Sequence, residues 1–423
     1  MTDTRSLSVP GTHPGFLAAP AGIFLLAVLV RVLAVSLTVG WSGPAFAEPS
    51  SDSRIHMTLV QNLLAGRGYT LDGEPVASTP PLYIFFLAAL YAVFGSPAWV
   101  RAVQVLLGAT GCVVLYAIGR RIFDPPSAFL GAGLLALHPT AAYLAGLHLT
   151  ENLFLPLLLL VLLEAHRLAD HPSGWRAFGL GVLVGLGALA RAVFLGFLPF
   201  LLFWFGLRWG IRNRLSYGVA GFVLGGCTLA LLPWAVRNAV VLRAFVPVQS
   251  NGAVVFWAGN NPHADGGLVW PTSRTWTGPK PPDDGHYGWR DLSIPEENAR
   301  YLHEALRWIR EYPGDYLWLL VRKLGRLYGF SRAADEGALR VPLAVAVFQV
   351  LVYAAAAAGW ILAWAQHKPV ALLGGLVVFT NLMALTFSGA SRYALPMVPS
   401  LGLFAGFAAR NAWRWAEGGR CWN

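Results

Sequence analysis

Residues 80–95 read PPLYIFFLAALYAVFG, and whether this apolar run crosses a membrane decides the topology of the whole chain. A spanning helix needs about 20 apolar residues (range 17–25), and the stretch 81–95 is shorter than that. Counted as a span, it would carry Arg120-Arg121 to the outer side. Laid along the interface as an amphipathic helix, it leaves those arginines inside. Short inward loops rich in Lys and Arg are what orient a membrane protein, so the sequence predicts that 81–95 does not span.

The rest of the chain supports a membrane reading. Apolar residues make up 56% of the 423 and charged residues 12%, with a mean hydropathy of +0.54. A soluble domain carries about 25% charged residues, so this chain lacks the polar groups to cover itself in water. The net charge of +10 sits in short loops between apolar runs, a pattern that excludes nucleic acid as the partner and names the bilayer instead.

Ten spans are expected, at 22–40, 99–118, 127–146, 152–168, 177–190, 192–207, 217–234, 339–364, 369–387 and 395–410. The run 314–330 is excluded with 81–95, because Arg322, Lys323 and Arg326 share one helix face. With the N-terminus inside, the inward turns hold Arg120-Arg121, Arg167 and Arg176, then Arg208, Arg212 and Arg214, then Lys368. Arg410, Arg414 and Arg420 follow at the inner end. Ala45-Phe46-Ala47 resembles a small-residue cleavage site, yet Arg31 lies near the middle of 22–39, and a retained first helix is expected. Arg31 is expected to face the bundle and to pair there or with backbone carbonyls. Cys112, Cys227 and Cys421 predict neither a disulfide nor a thiolate metal site.

Polar length collects on one side, in outer loops 41–98 and 235–338. The second contains Ser293-Ile-Pro-Glu296, a capping-box pattern, followed by a helix to Arg310 that Pro313 stops. The expected organisation is an all-α polytopic bundle of about ten spans over 1–410, with interfacial helices and these two outer loops. A short basic tail follows at 411–423, and no separate soluble domain is expected.

Chemistry is expected on the outer face. Asp52 precedes an apolar stripe of Ile55, Leu59, Leu63 and Leu64. It either caps that helix or serves as a general base at the bilayer surface, where a low-dielectric boundary would raise its pKa. Glu151 opens a later helix, as a helix-dipole carboxylate or a site acid. Arg191, Arg237 and Arg392 fall at outer ends of spans, where they either snorkel or bind phosphate bidentately. His263, Asp265, Asp283, Asp284 and His286 lack a recognisable ligand spacing, so no metal and no cofactor is expected.

Several short motifs recur in order: Asp52, then Asn62-Leu-Leu-Ala-Gly-Arg-Gly-Tyr69, Pro80 to Gly95, Leu149-Thr-Glu151, Pro233-Trp-Ala-Val-Arg237-Asn238, Gly259-Asn-Asn-Pro262 and Arg392-Tyr-Ala-Leu-Pro396. Together they resemble the GT-C membrane glycosyltransferases, the superfamily of bacterial aminoarabinose transferase and the protein O-mannosyltransferases. The resemblance implies a polyprenyl-phosphate sugar donor and an envelope glycan, lipid or protein as acceptor. It implies Asp52 as the base, with Glu151, Arg191, Arg237, Asn260, Lys323, Arg392 and Tyr393 binding substrate. The sequence departs from the family at Ser53, where a second acid is common, at His56, where Tyr is common, and at Thr79-Pro80-Pro81, which replaces a Glu-Lys pair. A multi-spanning transporter or lipid flippase is the alternative. The absence of internal repeats and the gathering of ionisable groups at one face count against it.

Overall fold

The computed structural model describes residues 15–44, 48, 50–269, 292–329 and 343–418. Ala45–Ala47, Asp283, Asp284, Gly285, His286, Arg420 and Cys421, singled out above or below, lie outside them. The described chain is helical apart from a two-residue ladder that pairs Thr70 with Pro75 and Leu71 with Glu74.

The first helix, α1 (Gly15–Leu37), enters the bundle, and α2 (Ser51–Leu64) and α3 (Pro81–Phe94) follow it. Next come α4 (Pro97–Ile122), α5 (Pro125–Ala136), the single turn and a half of α6 (Pro139–Leu144), α7 (Glu151–Asp170) and α8 (Gly174–Ala190). A 3₁₀ segment, Ala192–Phe197, leads into α9 (Leu198–Trp209), and α10 (Arg214–Val241) completes the first half. The second half holds α11 (Gly252–Ala258), α12 (Ile294–Glu311), α13 (Pro313–Leu327), α14 (Leu343–Ala365), α15 (Ala371–Thr386) and α16 (Val398–Ala416).

Local chemistry sets many of these boundaries. The Asp124 carboxylate accepts the Ser127 amide at 3.2 Å, ahead of Pro125-Pro126, which favours the first helical turn. The Asn213 side chain accepts the Leu215 amide at 3.0 Å to open α10. The capping box read at Ser293 is present: the Ser293 amide donates to Glu296 Oε2 at 2.9 Å.

Among the described residues, six helices are long and apolar enough to cross a membrane: Ala18–Leu37, Pro97–Ile122, Glu151–Asp170, Ala192–Trp209, Arg214–Val241 and Val347–Ala365. The chain is a multi-pass membrane protein. Three of the remaining expected spans are shorter apolar helices, α5, α8 and α15. The run 127–146, read as one continuous span, is broken. α5 ends at Ala136, and the His138-Pro139 step starts α6, because a proline disfavours helix in the residue before it. The run 81–95 forms the 14-residue α3, about 21 Å long at 1.5 Å per residue.

Two large cores organise the described chain, beside a small cluster of Val35, Val105 and Ala145. The larger joins α4, α5, α7, α8, α9, α15 and α16 through the bundle. Where α8 crosses α10, Gly181 and Gly226 meet the facing backbone so closely that a side chain would strike the Val223 and Phe178 carbonyls; small residues let membrane helices approach in this way. The second core caps one end. Met57, Leu59 and Val60 of α2 pack with Tyr83, Ile84 and Leu87 of α3, and with Trp234, Val246 and Val248. Each buried Leu or Ile contributes about 1.5–3 kcal/mol, which fixes α2 and α3 as a lid on the bundle.

The two ends are chemically distinct. Arg121 at the end of α4 pairs with Asp170 at the end of α7, 2.7 Å apart, so the arginine-rich turns share one end. Glu151 starts α7 some 30 Å away, at 1.5 Å rise per residue over its length. Single-cysteine replacements should therefore divide cleanly. With an impermeant thiol reagent on intact cells, position 61 should label, and positions 121 and 368 should label only after permeabilisation. Labelling of 121 in intact cells would reverse the topology. The matching outer position, Gly285, lies outside the described residues.

Candidate active site

Asp52 sits in the first turn of α2, one residue after the helix begins, and Ser50 holds the N-cap position. Asp52 is therefore not the cap. Its Oδ2 instead accepts the Arg392 guanidinium across 340 residues of chain, at 2.7 Å. Arg392 belongs to a 3₁₀ turn, Ser391–Ala394, placed between α15 and α16. The same Arg392 nitrogen donates to the Tyr393 hydroxyl at 3.1 Å.

The cluster continues inward through Tyr393. The guanidinium carbons of Arg392 and Arg191 each lie 5.0 Å from the Tyr393 ring centroid. Planar cations stack on aromatic faces in this way. Arg191, at the end of α8, pairs with Glu151 at 2.7 Å, and both are well shielded, with 16% and 6% of their side-chain surface exposed. Arg191 is thus an ion-pair partner inside the fold and not a snorkelling side chain. Five of the eight expected site residues form one continuous contact chain: Asp52, Arg392, Tyr393, Arg191 and Glu151.

Asp52 keeps 41% of its side-chain surface exposed, so the carboxylate lies on an accessible face of this cluster. The expectation of a raised pKa is reversed. Burial does push the carboxyl up, but the Arg392 charge, His56 and the Arg392 hydrogen bond outweigh it and hold Asp52 below its ordinary value. A lowered pKa means the carboxylate is ionised throughout the neutral range. It is lost only as pH falls through a value below the usual Asp range.

The structure gives the other three residues different partners. Arg237 donates to the Val76 carbonyl at 2.8 Å and the Tyr69 carbonyl at 3.2 Å, and lies 4.9 Å over Trp234. Its fork holds the Thr70–Pro75 hairpin to α10. Lys323 is fully buried, and its Nζ donates to Asn260 Oδ1 at 2.8 Å and to the Leu385 carbonyl at 2.9 Å. Of the metal candidates, Asp265 forms an ion pair with Arg326. Among the described residues no group of three or more His, Cys, Asp or Glu side chains is arranged to hold a metal.

A second buried network was not anticipated. Glu48 Oε1 pairs with Arg101 at 2.9 Å and with His148 Nδ1 at 2.6 Å, and Glu48 Oε2 accepts the His148 amide at 2.8 Å. The other His148 nitrogen meets the Tyr91 hydroxyl at 2.9 Å. His148 in turn presents its carbonyl to His56 Nδ1 at 2.7 Å. A carbonyl only accepts, so Nδ1 carries the proton and Nε2 keeps its lone pair. His56 follows Asp52 by four residues on α2, and its pKa is lowered by burial against the charge of Asp52. The sequence signal available was Arg101, a charge within an apolar run, but nothing local pointed to Glu48 or His148.

The Arg101–Glu48 pair has side-chain exposures of 1% and 2%. Arg101→Leu strands the Glu48 charge, and removing one member of a buried pair costs about 3–5 kcal/mol. The expected result is a large fall in melting temperature of the detergent-solubilised protein. An unchanged melting curve would mean the network does not hold the outer loop.

Residues 78–234 match the model of the dolichyl-phosphate-mannose-protein mannosyltransferase family. No curated protein gives a significant match in sequence. In fold the chain is similar to ArnT from Cupriavidus metallidurans bound to undecaprenyl phosphate, with a TM-score of 0.58 at 15% identity, over 96% of this chain and 62% of that one. It is also similar to the oligosaccharyltransferase AglB from Archaeoglobus fulgidus in complex with an inhibitory peptide and a dolichol-phosphate (TM-score 0.54, 14% identity, 96% and 52%). A third likeness is to the Archaeoglobus fulgidus oligosaccharyltransferase tethered with an acceptor peptide (TM-score 0.53, 12% identity, 94% and 50%). The chain spans one half to three fifths of the length of these proteins. Its fold is the GT-C fold of membrane glycosyltransferases.

Proposed function

We propose that this chain is a membrane glycosyltransferase that moves a sugar from a polyprenyl-phosphate donor to a hydroxyl of a cell-envelope acceptor at the outer face. The observation that carries this reading is the Asp52–Arg392 pair at 2.7 Å, seated beside Tyr393, Arg191 and Glu151 at the end of the bundle away from the Arg121–Asp170 pair. A carboxylate for the acceptor and guanidinium groups for a phosphate thus stand side by side. The two neighbours solved with undecaprenyl phosphate and with dolichol-phosphate support a donor of that class.

The prenyl tail lies among the helices, and the phosphate meets the exposed edges of Arg392 and Arg191. The acceptor hydroxyl donates its hydrogen bond to Asp52. As that oxygen attacks the anomeric carbon, the bond to the phosphate breaks, and its electron pair leaves with the phosphate. The arginines stabilise the charge that grows there. The proton passes to Asp52, a weak base but one that is ionised throughout the neutral range, and the transfer occurs late, when the attacking oxygen has become acidic. One in-line displacement inverts the anomeric centre. Glu151 neutralises Arg191 and fixes its plane against Tyr393.

The test is transfer by the purified protein in lipid nanodiscs, with polyprenyl-phosphate sugars as donors and envelope extracts as acceptors. Incorporation of labelled sugar that disappears in Asp52→Asn supports the reading. Uptake of free solute or lipid scrambling without transfer overturns it.

A further inference from the structure

Lys323 is fully buried outside the Asp52 cluster and the Glu48 network, and among the described residues its amine is held by neutral oxygens and not by a carboxylate. Its Nζ donates to Asn260 Oδ1 at 2.8 Å, to the Leu385 carbonyl at 2.9 Å and to the Thr386 carbonyl at 3.4 Å. Asn260 closes the same ring from the other side, since its Nδ2 donates to the Thr386 carbonyl at 2.9 Å and to Phe256 at 2.7 Å. Both side chains are 0% exposed.

The segment so gripped, 385–389, enters the turn that carries Arg392. Two glycines show how tightly it is seated. A side chain at Gly389 would strike the Lys323 carbonyl, and one at Gly259 would strike the Phe387 carbonyl. The Gly389 amide also donates to the Gly266 carbonyl at 2.8 Å. Only two residues separate Gly389 from Arg392, so any slack in the segment reaches the guanidinium.

We propose that Lys323 and Asn260 are positioning residues, which clamp segment 385–389 onto α13 and so aim Arg392 at Asp52. This inference rests on the glycosyltransferase reading only for its effect on turnover; the clamp itself stands on the contacts above. Among the described residues, the charged groups near Lys323 have partners of their own. On its own helix Arg326 pairs with Asp265 and Arg322 lies over Trp318. Arg392, on the turn packed against α13, pairs with Asp52. The 258–261 turn and α15 bring no charge to it.

The clamp is therefore sensitive to the protonation of one amine. Burial pushes Lys323 down to about 7. A neutral amine still donates two hydrogen bonds, matching the two short contacts, and the 3.4 Å contact is the one it gives up. The sign follows from linkage. In the closed segment Lys323 titrates near 7, and once opened to water it titrates in the ordinary Lys range. Closing releases a proton between those values, so the closed state gains stability as pH rises above 7 and loses it as pH falls toward 7.

The experiment is amide hydrogen exchange of the full-length protein in nanodiscs, read on peptides covering 385–394 from pH 7 to 8.5 and converted to protection factors. In the wild type, protection at Gly389 should rise with pH, by up to about tenfold per unit. Lys323→Met should lower that protection at every pH and abolish its pH dependence, while α4 and α7 keep theirs. Asn260→Ala should also lower it. In the transfer assay Lys323→Met should reduce maximal rate about tenfold, with the pH dependence of the remaining rate flattened. Protection in Lys323→Met equal to wild type, with the same pH dependence, overturns the proposal. If that variant fails to fold, a wild-type protection factor that ignores pH overturns it instead. A wild type that shows no transfer with any donor defeats the functional reading, and the exchange data still decide the clamp.

Discussion

Asp52→Asn should lower the rate of sugar transfer by about 10²–10⁴, the range that a positioned acid or base contributes. Asn keeps the size of the side chain and can still accept a hydrogen bond from Arg392. Helix α2 does not depend on Asp52 for its cap, because Ser50 occupies that position, so the helix should persist. Removing the charge leaves Arg392 with a neutral partner, but the Asp52 side is 41% exposed and water reaches it. The expected signature is a collapse of maximal rate with melting temperature and donor binding near wild type. Asp52→Glu should restore part of the rate, since it returns the charge at a shifted position. A near-normal rate in Asp52→Asn would make Asp52 only the anchor of Arg392. Because Asp52 is held below its ordinary pKa by Arg392, protonation of this group should not reduce the rate anywhere between pH 5 and 8. A rate that titrates with a group in that window belongs elsewhere, and Lys323, pushed down to about 7 by burial, is a candidate.

Arg392→Lys is the second large effect. One Arg392 nitrogen serves Asp52 at 2.7 Å and Tyr393 at 3.1 Å together, with the guanidinium plane over the Tyr393 ring. A lysine ammonium can pair with Asp52, but it cannot stack as a plane or present a fork to phosphate. Removing one well-aimed donor to a developing oxyanion costs about 10²–10³ in rate, and a similar loss is expected here. The kinetic split identifies the role. A fall in maximal rate points to stabilisation of the leaving phosphate, whereas a rise in donor half-saturation alone points to ground-state binding. Unchanged values for both would leave Arg392 as a strut for Asp52. Arg237→Lys should behave differently. Its donors hold the Val76 and Tyr69 carbonyls, so it should lower stability of the outer hairpin more than it changes the donor dependence.

What the sequence revealed, and what it hid, follows from the range of the interactions. Asp52, Glu151, Arg191 and Arg392 were legible because each sits at an element end, where a charge is locally conspicuous. Their pairing was not, since Asp52 and Arg392 lie 340 residues apart. The Glu48–His148 contact spans 100 residues, and no periodicity reports such a pair. The partners of Lys323 were hidden for a physical reason. Arg322, Lys323 and Arg326 share a helix face, which marks 314–330 as amphipathic, but only the fold shows that the 385–389 segment covers Lys323 and turns its donors toward carbonyls. The break at Leu137-His138-Pro139 was written in the sequence, yet the apolar run on either side masked it. The lowered pKa of Asp52 depends wholly on its distant arginine, so reasoning from the bilayer boundary alone gave the wrong sign.

The central claim is that this fold carries a sugar from a polyprenyl phosphate to the cell envelope through Asp52. Mass spectrometry of envelope glycans and of the polyprenyl-phosphate pool tests it most directly. Cells lacking the protein would be compared after complementation with wild type or with Asp52→Asn. The account predicts that one sugar is missing from the envelope and that its polyprenyl-phosphate form accumulates, with wild type reversing both changes and Asp52→Asn reversing neither. Identical glycan and lipid profiles in all three strains would contradict it.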